Sequence, residues 1–225
     1  MSLLKKKNIL ITAGSTRGYL DAVRYITNTS TGRLGSEIAL GAMGRGAVVT
    51  YIYGADSLFP VIHDRSDMKA SQLKLIEIET NNDLIKVLQE KLKNRKFDAI
   101  IHAMAVADYV PARAKQSKTS SQKKEWLIKL VKTPKVINII RASWPESFLV
   151  GFKLEVNRTK DEIIKISRRF LTKSKANLIV ANDYKYISRN RHIAYMVTGD
   201  RKIPKPLKGK KAIAKNIISY LEKIL

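Results

Sequence analysis

The sequence predicts a doubly wound α/β fold, in which a mainly parallel β-sheet carries helices on both faces and has a small hairpin or edge extension. Two observations lead to this prediction. Short apolar runs, of the length of buried strands, alternate along the chain with segments whose apolar residues recur at helical spacing. Strands that alternate with helices pair in parallel, because each helix crosses over the sheet between them. No stretch has the composition of a linker, so we expect one domain over residues 1–225.

The first half of the chain supplies four predicted strands and two predicted helices. The strands are the apolar runs at 8–13, 48–53, 73–79 and 97–105. Apolar stripes mark the helices, with Leu34, Ile38 and Ala42 in the first and Leu84, Leu88 and Leu92 in the second. Thr80 and Asp83 have the spacing of a capping box that begins the second helix. Residues 54–70 are rich in turn-forming residues and are expected to form a loop.

The second half begins with a polar, basic segment at 110–125, which has no apolar periodicity and is expected to be a mobile loop. Strands are predicted at 127–131, 148–152 and 176–181, with 193–197 as an edge strand or hairpin. Pro134 is expected at the first position of a short helix, and Thr159 with Glu162 forms a second capping box. The last two helices carry apolar stripes at Ile163, Ile166 and Phe170, and at Ile213, Ile217, Leu221 and Ile224.

The charge of the chain makes nucleic acid the first partner to consider. The formal net charge is +24, from 43 Lys and Arg against 19 Asp and Glu. However, the basic residues are spread over nearly every segment, and none of these segments interleaves aromatic with basic residues. A positive field that attracts small polyanions such as nucleotides accounts for this distribution, so nucleic-acid binding is kept as an alternative and not as the primary role.

Several function classes are excluded by composition. The chain has no cysteine, so it has no disulfide, no thiolate metal site and no thiol nucleophile, and we predict no metal-ligating cluster. No window approaches the roughly 18 apolar residues of a membrane span. The apolar run after residues 5–7 is too short for a signal peptide. We therefore expect no membrane association and a cytoplasmic location.

The stretch at 9–35 reads as a strand, then a loop of small and hydroxyl residues, then a helix start. Unpaired N–H groups at such a helix start bind phosphate or carboxylate. Gly14 and Gly18 are spaced as in the glycine loop of short-chain dehydrogenases, so a nicotinamide-dependent reductase is an alternative. Against that alternative, the third glycine would fall at Leu20, and no tyrosine is followed four residues later by lysine.

Four further segments have the composition of ligand-binding turns after parallel strands, namely 105–109, 132–135, 150–153 and 179–183. Together with the segment DAVRYITNTSTG at 21–32, they resemble in order and spacing the phosphopantothenoylcysteine synthetases (phosphopantothenate–cysteine ligases) of coenzyme A biosynthesis. The resemblance runs from about residue 8 to the final helix and implies a Rossmann-like fold. It also leads us to expect a stand-alone, monofunctional form without a decarboxylase domain.

What this resemblance implies is a two-step ligation. The carboxylate of 4′-phosphopantothenate attacks the α-phosphate of a nucleoside triphosphate and releases pyrophosphate, and cysteine then captures the acyl nucleotide. CTP is expected as the nucleotide ahead of ATP, with Mg²⁺ as the accompanying ion. Family members complete the substrate site across a subunit interface, so a homodimer is expected.

The resemblance also implies roles for individual residues. Asn28 matches the asparagine that acts on the acyl-nucleotide intermediate, and Arg24 is expected to contact substrate or to fix the loop. Gly14 and Ala105 are further expected substrate contacts. Nucleotide contacts are expected from Ser30, Thr31, Gly32, His102, Ala103, Met104, Asp108, Lys118, Pro134, Lys135, Val136, Ile137, Phe152, Arg169 and Lys173. For His102, Ala103 and Met104 the backbone is the expected contact.

Lys118 matches the loop lysine that neutralises the triphosphate and is the second predicted catalytic residue. The loop departs from the common Lys-Ile-Lys-Lys pattern, because Thr119, Ser120 and Ser121 follow it, and Lys115 or Lys123 is an alternative. Thr133 stands where the family frequently has asparagine, and 153–155 also differ from the common sequence. These departures flank the expected nucleotide pocket and leave ATP open as the nucleotide.

Overall fold

The computed structural model describes residues 4–62, 68–122, 124–188, 191–200 and 202–225. The strands are β1 (Asn8–Ala13), β2 (Arg17–Tyr19), β3 (Tyr25–Thr27), β4 (Val48–Gly54), β5 (Leu73–Ile78), β6 (Ala99–His102), β7 (Tyr109–Pro111), β8 (Leu130–Lys132), β9 (Phe148–Glu155), β10 (Leu178–Asp183), β11 (Ile193–Val197) and β12 (Leu207–Lys208). The α-helices are α1 (Arg33–Met43), α2 (Asn81–Lys86), α3 (Val136–Ser143), α4 (Lys160–Ser174) and α5 (Lys210–Ile224). A π-helical turn at Val87–Lys91 continues α2, and short 3₁₀ turns occupy Ala70–Gln72 and Tyr184–Tyr186. None of the helices in the described ranges has the length and apolar character of a bilayer span.

Eight strands form one sheet in the order β12-β11-β10-β9-β6-β1-β4-β5. The strands from β10 to β5 are all parallel, whereas β11 pairs antiparallel with β10 and β12. The predicted doubly wound sheet with an edge extension is therefore confirmed. The chain runs outward from β1 through β4 and β5, then returns to β6 and runs outward the other way. The crevice between β1 and β6 is thus the topological switch point, where sheets of this kind bind ligands.

Apolar layers cover both faces of the sheet. On one face α1 and α5 pack on strand residues such as Ile11 and Val150. On the other face α2, α3 and α4 pack on residues such as Leu10 and Leu149. Neighbouring residues of one strand enter opposite layers because strand side chains alternate. Each layer is closed by helices that cross over between parallel strands, as the alternation in the sequence predicts.

Both predicted capping boxes are present. Thr80 Oγ1 accepts the Asp83 N–H at 3.2 Å, and Asp83 Oδ2 accepts the Thr80 N–H at 2.8 Å. Thr159 and Glu162 exchange the same pair of bonds at the start of α4. Each box satisfies donors that a helix start would otherwise leave unpaired.

Several predicted boundaries were wrong. The predicted strand at 127–131 is instead the exposed strand β8, which pairs antiparallel with β7 in a separate two-stranded ribbon. Pro134 does not begin a helix, because Lys135 is extended and α3 starts at Val136. The central strand ends at His102, after which the chain turns into the loop at the crevice. The segment after β1 was expected to be a loop, but it contains the hairpin formed by β2 and β3. The closing helix does extend to Ile224 as predicted, with that last side chain exposed.

Gly35 packs α1 closely against β1, and we expect Gly35→Ala to destabilise the fold. A Cβ at this position would lie 2.3 Å from the Cβ of Ala13. Overpacking of this kind should lower the free energy of unfolding by about 1–3 kcal/mol, measured by urea denaturation. Gly41→Ala is the matched control in the same helix, because its Cβ would meet Ile218 at 3.5 Å and alanine favours helix. Equal stability of Gly35→Ala and wild type would contradict the close packing.

Candidate active site at the carboxyl edge of the sheet

The loops after β1 and β6 stay paired beyond the sheet and form the floor of the crevice. The Ala103 N–H donates to Thr12 O at 2.9 Å, and the Ala105 N–H donates to Gly14 O at 2.8 Å. Gly14 has a φ of 81°, and a Cβ there would overlap Ser57. The backbone at this point therefore needs glycine. The predicted substrate contacts Gly14 and Ala105 are brought together directly.

Asn28 lies on this floor, just after β3. Its Nδ2 donates to Ala105 O at 3.2 Å and to Val106 O at 3.3 Å. Thr27 Oγ1 fixes the neighbouring turn by donating to Thr16 O at 2.8 Å. The Asn28 side chain is exposed, so its amide is held on the loop after β6 while remaining open to a ligand. The structure thus joins the predicted catalytic asparagine to the predicted substrate contacts.

Helix α1 begins at the same edge, after Ser30, Thr31 and Gly32. Gly32 is the N-cap with a φ of 74°, and no side chain caps this helix. Helix α5 also begins at an uncapped glycine, Gly209. The Arg45–Glu222 ion pair at 2.9 Å joins a residue just past the end of α1 to a residue of α5 that lies equally far from its own N-cap. The helices therefore run parallel and in register, with both N-termini at the carboxyl edge.

Basic residues occupy the first turns of both helices. Arg33 begins α1 and Lys210 begins α5, with no acidic residue in either first turn. Burial, and then the charge of Arg33, lower the pKa of Lys210. The positive ends of the helix dipoles add to these side-chain charges. This face of the edge is therefore suited to an anion.

Arg24 fixes the basic segment and stacks on an aromatic ring. Its Nη1 donates to Asp21 Oδ2 and to Thr119 O, each at 3.3 Å, and its guanidinium lies 5.5 Å from the ring centre of Trp126. Lys118 is exposed, and no described residue forms an ion pair with it. Lys123, an alternative to Lys118, lies outside the described residues. The mobility of this segment stays a prediction.

The turns after β6 and before α3 meet through an ion pair. Lys135 Nζ donates to Asp108 Oδ1 at 2.7 Å, and both side chains are about half exposed. Pro134 is also exposed, whereas Val136 and Ile137 are buried in the core. Any ligand contact of the last two residues must therefore use their backbone.

Residues 4–225 match the family described as the DNA/pantothenate metabolism flavoprotein C-terminal domain. The chain belongs to this family. A solved flavoprotein of the same description from Streptococcus pneumoniae superposes with a TM-score of 0.84 at 31% identity, over 97% of this chain and 100% of that one. The family recognition made from the five motifs is thereby confirmed, as is the fold.

A coenzyme A biosynthesis bifunctional protein, CoaBC, is among the similar curated proteins. The protein from Thermococcus kodakarensis is 32% identical over 222 residues, which are 99% of this chain and 52% of that protein. The one from Borreliella burgdorferi is 33% identical over 221 residues, 97% and 53% of the respective chains. The chain thus spans about half the length of the curated relatives it matches.

In this family member, Phe152 lies at the carboxyl edge, because Gly151 before it pairs with His102 at the end of β6, and its ring packs partly buried against the core on the α1 and α5 face. Two other predicted nucleotide contacts lie apart from the floor of the crevice. Arg169 and Lys173 lie on α4, about 15 Å and 20 Å along the helix axis from its N-cap. Lys173 lines a cleft with Asn177, whose Oδ1 accepts the Leu149 N–H near the amino end of β9. The structure therefore does not bring Lys173 to the carboxyl edge.

Sequence reasoning missed several polar residues that hold the loops of the site. Thr16 Oγ1 accepts the Ala107 N–H at 2.9 Å, and Ala107 O accepts bonds from Asn81 Nδ2 and Thr133 Oγ1, each at 2.7 Å. Asp21 is buried and binds backbone of both the hairpin and the basic segment. Of these polar residues, Asp21 and Thr133 lie within the recognised motifs, and that position was the signal by which the sequence could have identified them. Thr16 and Asn81 lie outside the motifs, and their contacts join segments that are distant in the sequence.

The His102 side chain is part of the buried core and is not available to a ligand. Its ring is buried, and its Nδ1 shares a hydrogen bond of 2.7 Å with Thr12 Oγ1. Burial lowers the pKa of His102 to about 4. Met104 is buried as well, so His102 and Met104 can meet a ligand only through their backbone.

Acid is expected to destabilise the fold through His102. The unfolded chain takes up the proton near pH 6.5 and the folded chain near pH 4, so the unfolded state binds more protons between these values. The free energy of unfolding should therefore fall as the pH falls, by about 2 kcal/mol from pH 7 to pH 5. Urea denaturation at both pH values should show a smaller loss in His102→Gln. An unchanged pH dependence in that variant would contradict a buried, neutral His102.

Proposed function

We propose that the chain is a phosphopantothenate–cysteine ligase, which joins 4′-phosphopantothenate to cysteine through an acyl-nucleotide intermediate. The observation that carries the proposal is the amide of Asn28, held on the backbone of Ala105 and Val106 beside the uncapped N-terminus of α1. Family membership supports it, as do the names of the curated relatives, which describe coenzyme A biosynthesis. A polar amide beside an anion-binding edge suits a reaction that has two anionic reactants.

In the first step the carboxylate of 4′-phosphopantothenate attacks the α-phosphorus of the nucleotide. A P–O bond forms, the bond to the β-phosphate breaks, and pyrophosphate leaves with the electron pair. The charge that develops must be neutralised, and the basic first turns of α1 and α5 with Lys118 are the groups available for this. Mg²⁺ would enter with the nucleotide phosphates, since the described residues include no ready cluster of metal ligands.

In the second step the cysteine amino group attacks the acyl carbonyl, and the nucleoside monophosphate leaves as the amide bond forms. Asn28 Nδ2 is the donor that would polarise that carbonyl, because one of its hydrogen atoms can turn from the loop to the ligand. Asp108, now paired with Lys135, would accept hydrogen bonds from the nucleotide. We propose CTP ahead of ATP on the family resemblance, and a cytoplasmic location.

The ligase assay tests the proposal directly. Purified protein is incubated with 4′-phosphopantothenate, cysteine, Mg²⁺ and either CTP or ATP, and pyrophosphate and product mass are followed. Product with one nucleotide is the expected result and identifies the preferred nucleotide. No pyrophosphate with either nucleotide would contradict the proposal.

Asn28→Asp separates the two steps in the same assay. The variant should still release pyrophosphate but yield little ligated product, because a carboxylate cannot donate to the acyl carbonyl. Asn216→Asp is the matched control, since Asn216 Nδ2 also donates to a backbone carbonyl, at 2.8 Å, on the exposed face of α5. Full turnover by Asn28→Asp would remove Asn28 from the mechanism.

A homodimer is part of the proposal. The β2–β3 hairpin and the β7–β8 ribbon pack together, because a Cβ on Gly18 would lie within 3.2 Å of atoms of Val110 and Pro111. The hairpin, the ribbon and the residues just before β8 expose apolar side chains, which are Val23, Tyr25, Tyr109, Leu127, Ile128, Leu130 and Val131. We name this set the ribbon patch. Exposed apolar patches of this kind mark protein interfaces, and a two-fold axis would pair the patch with itself.

Sedimentation velocity tests the role of the ribbon patch. Leu127→Lys combined with Leu130→Lys should convert a dimer to a monomer, because the charges would be buried without partners. Ile203→Lys is the control, since Ile203 is 72% exposed and lies beside α4, on residues that are not part of the patch. A dimer that persists in the double variant would exclude the patch as the interface.

A further inference from the structure

Asp21 binds two separate parts of the chain with the two oxygens of one buried carboxylate. Oδ1 accepts the N–H groups of Val23 and Arg24, each at 2.9 Å, and so shapes the tip of the β2–β3 hairpin. Oδ2 accepts the Thr119 N–H at 3.0 Å and Arg24 Nη1 at 3.3 Å. Thr119 is nearly 100 residues away in the sequence and is itself 5% exposed. A buried charge is retained only where it is paired and hydrogen-bonded.

Further contacts hold the basic segment on the same hairpin. The Lys115 N–H donates to Leu20 O at 3.1 Å, and Arg24 Nη1 donates to Thr119 O at 3.3 Å. Lys118 lies between the two anchored residues, with its side chain exposed. The position of Lys118 is therefore fixed by its neighbours rather than by a contact of its own.

We propose that Asp21 is a positioning residue that holds the backbone beside Lys118, so that the Lys118 ammonium meets the triphosphate during nucleotide activation. This inference rests on the proposed function. Asp21 touches neither substrate nor nucleotide in this role and acts through Lys118. Correct placement of a charged group before reaction avoids reorganisation during it, and a displacement of about 1 Å can cost about a hundredfold in rate.

The arrangement also links the two predicted catalytic residues. Asn28 follows β3 of the same hairpin whose tip Asp21 shapes. The hairpin thus carries one residue for acyl transfer and holds the segment that carries the residue for activation. The Thr119 N–H, followed by those of Val23 and Arg24, keeps the pKa of Asp21 below its ordinary value despite burial. The carboxylate is therefore ionised at neutral pH and keeps its acceptor atoms.

Asp21→Asn is the selective variant. Its amide oxygen can still accept the N–H groups at the hairpin tip, but its NH₂ would face the donors of Thr119 and Arg24. Asp21→Ser is a second variant, because a hydroxyl can serve the tip but is too short to reach Thr119. Asp98→Asn is the matched control, since Asp98 also accepts a backbone N–H, from Asn8 at 2.8 Å, at the opposite edge of the sheet. Circular dichroism establishes that each variant folds.

The experiment measures pyrophosphate release by wild type, Asp21→Asn, Asp21→Ser, Lys118→Gln and the double variant Asp21→Asn with Lys118→Gln. We expect kcat to fall by about tenfold to a hundredfold in each single variant, with little further loss in the double variant. Asp98→Asn should keep the wild-type rate. Unchanged kcat in both Asp21 variants would overturn the inference, as would losses that multiply in the double variant.

Limited trypsin digestion supplies a readout that needs no substrate. Cleavage at Arg113, Lys115 and Lys118 should be faster in Asp21→Asn than in wild type, because the segment has lost its anchor. Equal cleavage rates would overturn the anchoring. If wild type released no pyrophosphate, the proposed function and the catalytic role of Asp21 would both fail, whereas a loss confined to the Asp21 variants would leave the function standing.

Discussion

The site depends on backbone pairing that continues past the ends of β1 and β6. Successive N–H donors of Ala103, Ala105 and Ala107, in the loop after β6, meet acceptors at the end of β1 and in the loop that follows it, the last of which is the Thr16 hydroxyl. These bonds require the two loops to follow each other out of the sheet, and they satisfy polar groups that would otherwise be buried without partners. The Asn28 amide attaches to the same stretch of backbone, so its position in the crevice depends on this pairing of the two loops.

The electrostatics of the edge follow from how two helices pack. Helices α1 and α5 are parallel, and the dipoles of parallel neighbours repel each other. Basic first turns add to this cost, since each cation near a helix N-terminus opposes the dipole by about 0.3–1 kcal/mol. A fold optimised only for stability would place carboxylates there. A polyanion bound at this edge, as the proposed function requires, would offset the repulsion among Arg33, Lys210 and the two dipoles.

The core of the fold could be predicted from the sequence because its strands are buried on both faces and its helices on one. For this reason the sequence shows apolar runs at β1, β4 and β10. The capping boxes at Thr80 and Thr159 indicate the starts of their helices from local sequence alone. The β2–β3 hairpin could not be predicted in this way, and for the strand predicted at 127–131 the sequence did not indicate that it pairs outside the main sheet. The strands of the hairpin and of the ribbon have three residues each, which is too short for an apolar pattern to stand out in the sequence.

The sequence by itself determined the family, the doubly wound topology and the presence of Asn28 and Arg24 in a recognisable motif. Only the tertiary structure decided which motif residues share one edge, since Lys173 and Asn28 are both polar surface residues in the sequence and yet lie far apart on the sheet. It also decided the contact between Asp21 and Thr119, which chain folding brings together. The physical reason is that hydrophobic periodicity reports burial along one element, whereas a polar contact between distant segments leaves no periodic trace in either of them.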